Sequence, residues 1–408
     1  MSRTALATLA LAAILGGVGL GAIAAFVSGP AAASHAPSGL VAGLGSTPPS
    51  AAPSASPSGS AGAGESGPPS SSPGATPGQT PNPTPVLVAD PLTGRLVTPA
   101  AAQRHPIAVM IDDLSPARPQ SGFNSASIVW QAPAEGGIPR YMMIFQETIP
   151  TDVGPVRSSR YYYIGWASEL KALYVHAGGS PQALTTLRAK GNGQLVYNAD
   201  EFRWGKSFRR ITTRFAPHNL YSTGRQLREI ARTVGAADGA ITWPWTFAPD
   251  AALGRRPVGG RIEVTYGNVN AIRFDYDRAS NTYLRSVTGE KKQVDAANGQ
   301  RVAPKNVIVM VMHFGPLNDG EAYKHRLEAQ FIGSGPAWIA TNGVTVAGTW
   351  RKPSLSATTR FYDKSGKAVT LTVGQTFVQV MKTSDFIKFT AGKPAPPAPI
   401  PGGGVREY

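Results

Sequence analysis

The sequence predicts an α+β fold, with a mixed N-terminal α/β domain over residues 86–250 and a smaller β-rich domain over residues 261–385. Two patterns within the globular part support this prediction. In the first segment, short apolar runs alternate with segments of helical character. In the second segment, alternating apolar residues and turn residues indicate hairpins. A third observation, the low apolar content of residues 34–85 and 392–408, places these stretches outside any core.

Residues 1–33 carry the features of an export segment. The run from Ala5 to Val27 is uncharged and mostly apolar, and it is long enough to cross a bilayer as a helix. Arg3 favours an orientation with the N-terminus inside. The small residues Ala31-Ala32-Ala33 allow the alternative of a cleaved signal peptide. We therefore predict a single-pass membrane protein with its body outside the cytoplasm, or else a secreted protein.

Residues 34–85 are rich in Pro, Ser, Gly and Ala, which predicts a disordered linker. The charge of the chain lies beyond this linker, because residues 1–100 contain only Arg3 and Arg95 against Glu65 and Asp90. Residues 101–408 thus hold the whole net charge of +15, which favours anionic partners or else reflects solubility alone. The sequence contains no cysteine, which argues against disulfides, thiolate metal sites, a cysteine nucleophile and a lipidated cysteine.

The order of elements in the first domain follows from the apolar runs and from the turn residues between them. An apolar strand from His105 ends at Asp112 and Asp113, and Glu135 lies at a turn between two further strands. The elements predicted after this turn are a helix over about 158–171, a strand over 172–177, a helix from 180, a strand over 194–197, a basic aromatic segment over 202–214 and a helix over 222–234. Ser222 or Thr223 is expected near the cap of the last helix.

The second domain begins after a predicted boundary loop at residues 248–260. A strand over 261–266 and a hairpin formed by 271–276 and 282–287 are expected first. An apolar strand over 306–314 and several strands between 329 and 380 follow. The tail over 392–408 is expected to be extended and mobile.

Two predicted helix starts define a candidate anion site. Ser158 or Ser159 is suited to cap the first helix, and Arg157 and Arg160 lie beside it. The second start contains Gly178, Gly179 and Ser180, whose small size permits close approach of the backbone to a ligand. The two starts flank one strand, so they can face the same crevice. Ordinary serine caps with solvated arginines are the alternative.

Acid–base chemistry has three candidate residues, Asp112, Glu135 and His176. A capping role accounts for Ser180 without nucleophilic catalysis, because the chain has no Gly-x-Ser-x-Gly elbow around it. His218 is a further candidate ligand-binding residue. No tight metal-ligand spacing occurs, so we predict neither a metal site nor a cofactor. The basic aromatic segment could bind nucleic acid, but export of the body makes that partner unexpected.

Several motifs follow one another along the chain: Arg118-Pro-Gln-Ser-Gly, Glu135-Gly-Gly-Ile-Pro-Arg140, Gly154-Pro-Val-Arg-Ser-Ser-Arg160, Tyr174-Val-His-Ala-Gly-Gly-Ser-Pro181, Ala216-Pro-His-Asn219, Thr359-Arg-Phe-Tyr-Asp and Gly374-Gln-Thr-Phe-Val-Gln. Together they resemble the YerB-like family of bacterial envelope lipoproteins, and the resemblance covers roughly residues 86–385. It implies an N-terminal α+β domain and a smaller β-rich domain, without assigned activity or catalytic residues. The absence of cysteine departs from the lipoprotein members.

These observations predict a membrane-tethered extracytoplasmic protein that binds an anionic envelope ligand. The residues expected to bind the ligand are Arg118, Arg157, Ser158, Arg160, His176, Gly178, Gly179, Ser180 and His218. The alternative is an envelope hydrolase or transferase that acts on a phosphoryl or glycosyl substrate, with Asp112 or Glu135 and His176 as acid–base residues. A scaffold for another envelope protein, of no predicted identity, is a third possibility. The sequence alone does not decide whether the protein is an enzyme.

Overall fold

The computed structural model describes residues 86–189, 195–267 and 270–395, and within these ranges it contains 22 strands and five α-helices. The helices are α1 (Pro99–Ala102), α2 (Tyr161–Ser168), α3 (Pro181–Arg188), α4 (Glu201–Trp204) and α5 (Gly224–Thr233). The strands before residue 250 are β1 (Val88–Ala89), β2 (Leu96–Val97), β3 (Ile107–Asp112), β4 (Ile128–Glu135), β5 (Ile138–Phe145), β6 (Leu173–His176), β7 (Tyr197–Asp200), β8 (Arg209–Arg210), β9 (Leu220–Tyr221) and β10 (Thr246–Ala248).

The strands after residue 260 belong to the segment predicted as β-rich, except that β22 lies beyond its predicted end at residue 385. They are β11 (Arg261–Tyr266), β12 (Asn270–Asp277), β13 (Thr282–Val287), β14 (Asn306–Met312), β15 (Phe314–Pro316), β16 (Leu327–Ala329), β17 (Gly333–Thr341), β18 (Val344–Lys352), β19 (Arg360–Asp363), β20 (Thr370–Thr372), β21 (Thr376–Lys382) and β22 (Phe386–Thr390). This mixed, strand-rich content agrees with the predicted α+β class.

A ten-stranded sheet runs through the described part of the chain, in the order β19-β18-β17-β14-β21-β4-β5-β3-β6-β7. Five of these strands precede residue 250 and five follow residue 260. The two sets join where β21 pairs with β4 in parallel, from Thr376 opposite Ile128 to Gln379 opposite Gln131. The two segments predicted as domains therefore share one sheet.

One end of this sheet consists of three parallel strands. Strand β6 lies parallel to β3 on one side and to β7 on the other. Helix α3 is the crossover between the parallel strands β6 and β7, whereas α2 enters β6 from β5, which is antiparallel to β3. In such a unit the carboxyl ends of the strands and the amino ends of the helices meet at the same edge of the sheet.

Each face of the large sheet is covered by its own apolar cluster. Alternate residues of β3 divide between the clusters, with Val109 and Ile111 in one and Ala108 and Met110 in the other. The first cluster also contains residues of α5 and of a four-stranded sheet ordered β13-β12-β11-β22. The second contains residues of α2 and α3. Burial on both faces explains why the central strands read as unbroken apolar runs.

Helix α2 packs across residues of both segments. Trp166 of α2 stacks on Trp130 of β4, with ring centroids 4.7 Å apart. On another side, Gly165 lies so close to Phe331 that an added Cβ would be 2.2 Å from the phenyl ring. Residues 80–408 form one compact unit, and both clusters are built from residues of this unit alone. We therefore treat residues 80–408 as a self-contained folding unit.

Several predicted boundaries require correction. Helix α2 begins at Tyr161 and not at Ser158, and its N-cap is Arg160, which makes no side-chain capping bond. The predicted boundary loop begins inside β10, which pairs with β20. The predicted tail is ordered at its start, because Lys393 exchanges two backbone hydrogen bonds with Val258.

Other local predictions are confirmed by the structure. Ser180 caps α3 by accepting a hydrogen bond from the Ala183 amide, and Thr223 caps α5 in the same way through Gln226. The apolar run of residues 5–27 and the linker over 34–85 lie outside the described residues. Among the residues that are described, no helix has the length and hydropathy needed to cross a bilayer.

Candidate anion-binding site

The candidate site lies where the segments after β3 and β6 meet the start of α2. The Ala177 amide donates to the Arg157 carbonyl at 3.0 Å. The Ser159 amide donates to the Gly178 carbonyl at 2.9 Å, and the Ser180 amide donates to the Ser159 carbonyl at 3.2 Å. The two sequence motifs that contain the predicted helix starts are therefore adjacent backbone segments.

Asp112 is the centre of a polar cluster at the end of β3. Its Oδ2 atom lies 2.9 Å from Nε of Arg157 and 2.7 Å from Nδ1 of His218. Because a carboxylate accepts, Nδ1 of His218 donates, and Nε2 of the neutral ring is left as an acceptor. Among the described residues, none forms a hydrogen bond with His218 Nε2. Asp112 thus orients both an arginine and a histidine.

Glu135 is the centre of a second cluster at the end of β4. Its carboxylate accepts hydrogen bonds from Nη2 of Arg140 and from the guanidinium of Arg160, whose Nε lies 3.0 Å from Oε2. Burial raises the pKa of Glu135, but the charges of Arg140 and Arg160 outweigh burial and hold the pKa below its usual value. Glu135 is therefore a carboxylate at neutral pH and a poor proton donor.

The two clusters adjoin each other. Nη1 of Arg140 donates to the Ser158 carbonyl at 2.9 Å, next to Arg157, and the charge of Arg157 also lowers the pKa of Glu135. Together, three arginines face two carboxylates, so the site carries a net positive charge. The charged residues are Asp112, Glu135, Arg140, Arg157 and Arg160.

Solvent reaches only part of this site. The side chains of Glu135, Arg157 and His218 are 28%, 20% and 16% exposed, whereas Arg140 and Arg160 are 6% exposed. Arg157 is therefore the cation that a ligand can contact directly. The two buried arginines contribute charge and orient Glu135.

His176 does not join these clusters. Its ring is fully buried, Nδ1 lies 2.8 Å from the Gly178 carbonyl, and Nε2 lies 2.8 Å from the side-chain oxygen of Asn198. Both ring nitrogens are thus engaged in holding β6, its following turn and β7 together. The pairing of His176 with Asp112 or Glu135, expected from the sequence, is not formed; His218 is the partner of Asp112.

Arg118 also lies elsewhere. Its Nη2 atom donates to Oδ1 of Asp113 at 3.0 Å and to the side-chain oxygen of Asn270, and Nη1 donates to the Thr288 carbonyl at 2.7 Å. The side chain is 4% exposed. Arg118 therefore links the two segments of the chain and is not available to a ligand.

The small residues of the predicted site allow two backbone segments to lie close together. Gly178 adopts a left-handed conformation with φ of 64°, which a residue with a side chain rarely adopts. Gly179 lies against Ser159, where an added Cβ would be 3.2 Å from the Ser159 Cβ. Ser158 is partly exposed beside Arg157. These residues bring the two segments close enough for the arginines to converge.

Arg140 was not among the residues predicted for the site, and the histidine that contacts Asp112 is His218 and not His176. A signal for Arg140 existed, because strands on both sides of the Gly136-Gly137 turn bring Arg140 near Glu135 on one face. In the adjacent pairing, Arg140 lies opposite Asp112. No local signal connects Asp112 with His218. In the part of the chain that the structure describes, no group of three or more side chains is arranged to hold a metal ion.

Two consecutive segments of the chain match the two domains of one protein family. Residues 92–237 match the N-terminal domain described as "Protein of unknown function (DUF3048)", and residues 262–378 match the corresponding C-terminal domain. The two matches cover more than half of the chain, and the chain belongs to this DUF3048 family.

The relatives include YerB, as the motifs predicted. The protein named "Putative lipoprotein YerB" of Bacillus subtilis (strain 168) is 29% identical over 306 residues, which are 74% of this chain and 89% of YerB. A crystal structure of YerB from Bacillus subtilis superposes with a TM-score of 0.66 at 25% identity, covering 74% of this chain and 99% of the crystallised chain. The resemblance to the YerB-like family is confirmed.

Proposed function

We propose that this protein is tethered to a membrane outside the cytoplasm and binds an anionic envelope ligand at the cluster around Arg157. The name of the YerB relative, a lipoprotein, and the apolar run at residues 5–27 support tethering. The observation that carries the binding proposal is the excess of three arginines over two carboxylates around a solvent-accessible guanidinium. An anion at Arg157 would balance this charge.

Binding can be measured with residues 80–408 and a labelled poly(glycerol phosphate) probe, with polygalacturonate as a carboxylate polymer. Arg157→Gln is expected to lower the affinity about 10–100-fold, because a hydrogen bond to a charged group contributes about 1.5–3 kcal/mol. Raising the salt concentration should weaken binding of the unmodified protein.

The matched control for this variant is Arg261→Gln. Arg261 also pairs with one carboxylate, Asp275, but on the four-stranded sheet, so its removal should leave the affinity unchanged. The proposal is wrong if the unmodified protein binds neither polymer at low salt, or if both variants bind equally well.

The Asp112–His218 pair favours a second function, hydrolysis or transfer at a phosphoryl or glycosyl bond. Asp112 would hold the imidazole so that Nε2 accepts a proton, and Arg157 would stabilise the developing negative charge. This arrangement differs from the one expected from the sequence, in which Asp112 or Glu135 and His176 were the acid–base residues. His218 is partly exposed, and His176 is not.

Turnover of bis(p-nitrophenyl) phosphate and of p-nitrophenyl glycosides tests this second function. We expect His218→Gln to lower the rate about 10²–10⁴-fold, which is the usual contribution of general acid–base catalysis. His176→Gln is a poor control because the residue is buried. His313→Gln is a better one, since His313 is exposed and outside the site. No turnover above background by the unmodified protein would exclude catalysis on these bonds and leave binding alone.

A further inference from the structure

A basic aromatic surface lies next to the candidate site and takes no part in it. We define this surface by six exposed residues on the segment from α4 to the loop after β8: Phe202, Arg203, Lys206, Arg209, Arg210 and Phe215. The sequence placed aromatic and basic residues together in this segment. Burial divides the aromatic residues into two groups. Phe208 is buried and Trp204 is half-buried, whereas Phe202 and Phe215 are 80% and 91% exposed.

Such exposure is unusual for phenylalanine. Transferring a phenyl side chain from water to an apolar environment gains about 1.5–3 kcal/mol, and neither ring obtains this gain in the folded protein. Among the phenylalanines that the structure describes, these two are the most exposed. They are therefore the apolar groups most available to a partner.

The segments that carry the two rings are linked to each other. Arg210 connects them, because its Nη2 lies 3.8 Å from Glu201, next to Phe202, and its Nη1 donates to the side-chain oxygen of Asn219 at 3.0 Å. Phe215 accepts a backbone hydrogen bond from His218, beside Asn219. Strands β8 and β9 hold the base of this loop in register.

The surface is also positively charged. Arg209 pairs with Asp152 at 2.8 Å and remains 48% exposed, and Arg210 is equally exposed. Arg203 and Lys206 form no ion pair with any described residue. Five cations, including Arg214 at the back of the loop, therefore face three carboxylates. The carboxylates are Glu201, Asp152 and Asp200, of which Asp200 caps α4.

We propose that the basic aromatic surface docks on the outer face of an anionic lipid bilayer. Phe202 and Phe215 would enter the interfacial region, and the lysine and arginine side chains would contact lipid phosphates. Interfacial binding strength depends on buried apolar area together with attraction to anionic lipids, and this surface offers both. The proposal does not depend on the ligand of the Arg157 cluster.

A bilayer fits this surface better than a soluble polyanion. A polymer such as poly(glycerol phosphate) offers charge but no apolar interior for two projecting phenyl rings. The predicted tether also keeps the body within reach of a membrane surface. Docking would bring the Arg157 cluster close to the bilayer, because Gly178, whose carbonyl accepts from the Ser159 amide beside that cluster, is near Phe202: an added Cβ on Gly178 would lie 3.4 Å from the Phe202 ring.

Vesicle sedimentation with residues 80–408 tests the proposal without any contribution from residues 1–79. We expect binding to vesicles of phosphatidylglycerol and phosphatidylcholine in equal parts, and much weaker binding to phosphatidylcholine alone. Combined Phe202→Ser and Phe215→Ser should lower the partition coefficient by about tenfold or more. Combined Arg203→Gln and Lys206→Gln should lower it about 10–30-fold, and salt should weaken binding.

Matched controls lie on other parts of the body. Phe386→Ser removes an exposed phenylalanine of β22, and combined Lys364→Gln and Lys367→Gln removes the same charge from an exposed turn. Both controls should bind vesicles normally. Equal losses in test and control variants would overturn the proposal, as would equal binding to both vesicle types.

Two further results separate this proposal from its alternatives. Binding of poly(glycerol phosphate) that needs Phe202 and Phe215, without binding to vesicles, would identify a polymer surface and overturn the proposal. The two proposals have separate readouts, because Arg157→Gln is tested by the affinity for poly(glycerol phosphate) and the Phe202→Ser and Phe215→Ser pair by vesicle sedimentation, so failure of the ligand site and failure of membrane docking are distinguishable.

Discussion

Replacement of Asp113 with alanine is expected to lower the free energy of unfolding by about 3–5 kcal/mol, the cost typical of removing one partner of a buried ion pair. Asp113 is fully buried and accepts hydrogen bonds from Arg118 at 3.0 Å, Gln131 at 2.6 Å and Asn270 at 3.0 Å. Without it, the nearly buried guanidinium of Arg118 has no carboxylate partner. Burial raises the pKa of Asp113, and the charges of Arg118 and Arg285 oppose that effect.

Denaturant unfolding of residues 80–408 measures this loss. The matched control is Asp275→Ala, which removes a carboxylate that pairs with Arg261 and Arg273 in a largely solvated setting. That change should cost about 0–1 kcal/mol, as surface pairs do. A loss below about 1 kcal/mol for Asp113→Ala would contradict the role assigned to this residue.

Replacement of Lys352 with methionine is expected to have a similar effect, a loss of about 3–5 kcal/mol. Nζ of Lys352 lies 2.7 Å from Oε1 of Glu169 and donates to the Ala357 carbonyl at 2.7 Å, and both charged side chains are 0% exposed. Methionine keeps the apolar length of the side chain, so the loss comes from leaving the Glu169 carboxylate buried without its cation.

The pH dependence of the Lys352→Met variant provides a specific check. Burial already raises the pKa of Glu169, and Lys352 opposes that effect. In the variant the folded-state pKa therefore lies further above the unfolded value. A raised folded-state pKa gives stability that is present in acid and lost as the pH rises through it. The deficit relative to the unmodified protein should thus shrink as the pH falls towards the unfolded pKa of glutamate.

Two variants complete this experiment. Lys305→Met removes a partly exposed lysine that pairs with Asp250, and it should cost about 0–1 kcal/mol. Combining Lys352→Met with Glu169→Gln removes the uncompensated charge and should recover part of the loss. If the combined variant loses as much free energy of unfolding as Lys352→Met and Glu169→Gln lose separately when summed, Lys352 and Glu169 are not coupled.

Both predictions concern links between the two family segments. Asp113 and Arg118 precede residue 250, and their partner Asn270 follows it. Glu169 lies just after α2, and Lys352 ends β18. These buried polar contacts accompany the β4–β21 pairing that joins the sheet. We therefore expect the segments to unfold together and not as independent domains.

The neighbouring acids Asp112 and Asp113 show what sequence reasoning could predict and where it stopped. The apolar run before them predicted a buried strand that ends in two carboxylates, and the structure contains that strand as β3. Strand β3 ends at Asp112, so Asp113 lies just beyond the strand, and the two side chains have different partners. Asp112 orients Arg157 and His218, whereas Asp113 is buried against Arg118 and Asn270.

The start of α2 shows how a tertiary contact overrides a local preference. Ser158 and Ser159 are both favourable N-cap residues, which explains the prediction that the helix begins there. The structure instead bonds the Ser159 amide to the Gly178 carbonyl and the Ser159 hydroxyl to Tyr174 at 2.9 Å. The segment is therefore extended, and the helix starts after Arg160.

Residues only a few positions apart are enough to predict the α+β class, most strands, the Ser180 cap and a cap at Ser222 or Thr223. Motifs in a fixed order along the chain identify the family. Contacts between distant segments place both segments in one sheet and make His218 the partner of Asp112, 106 residues away. These outcomes depend on packing between distant segments, and local periodicity and capping chemistry carry no information about such contacts.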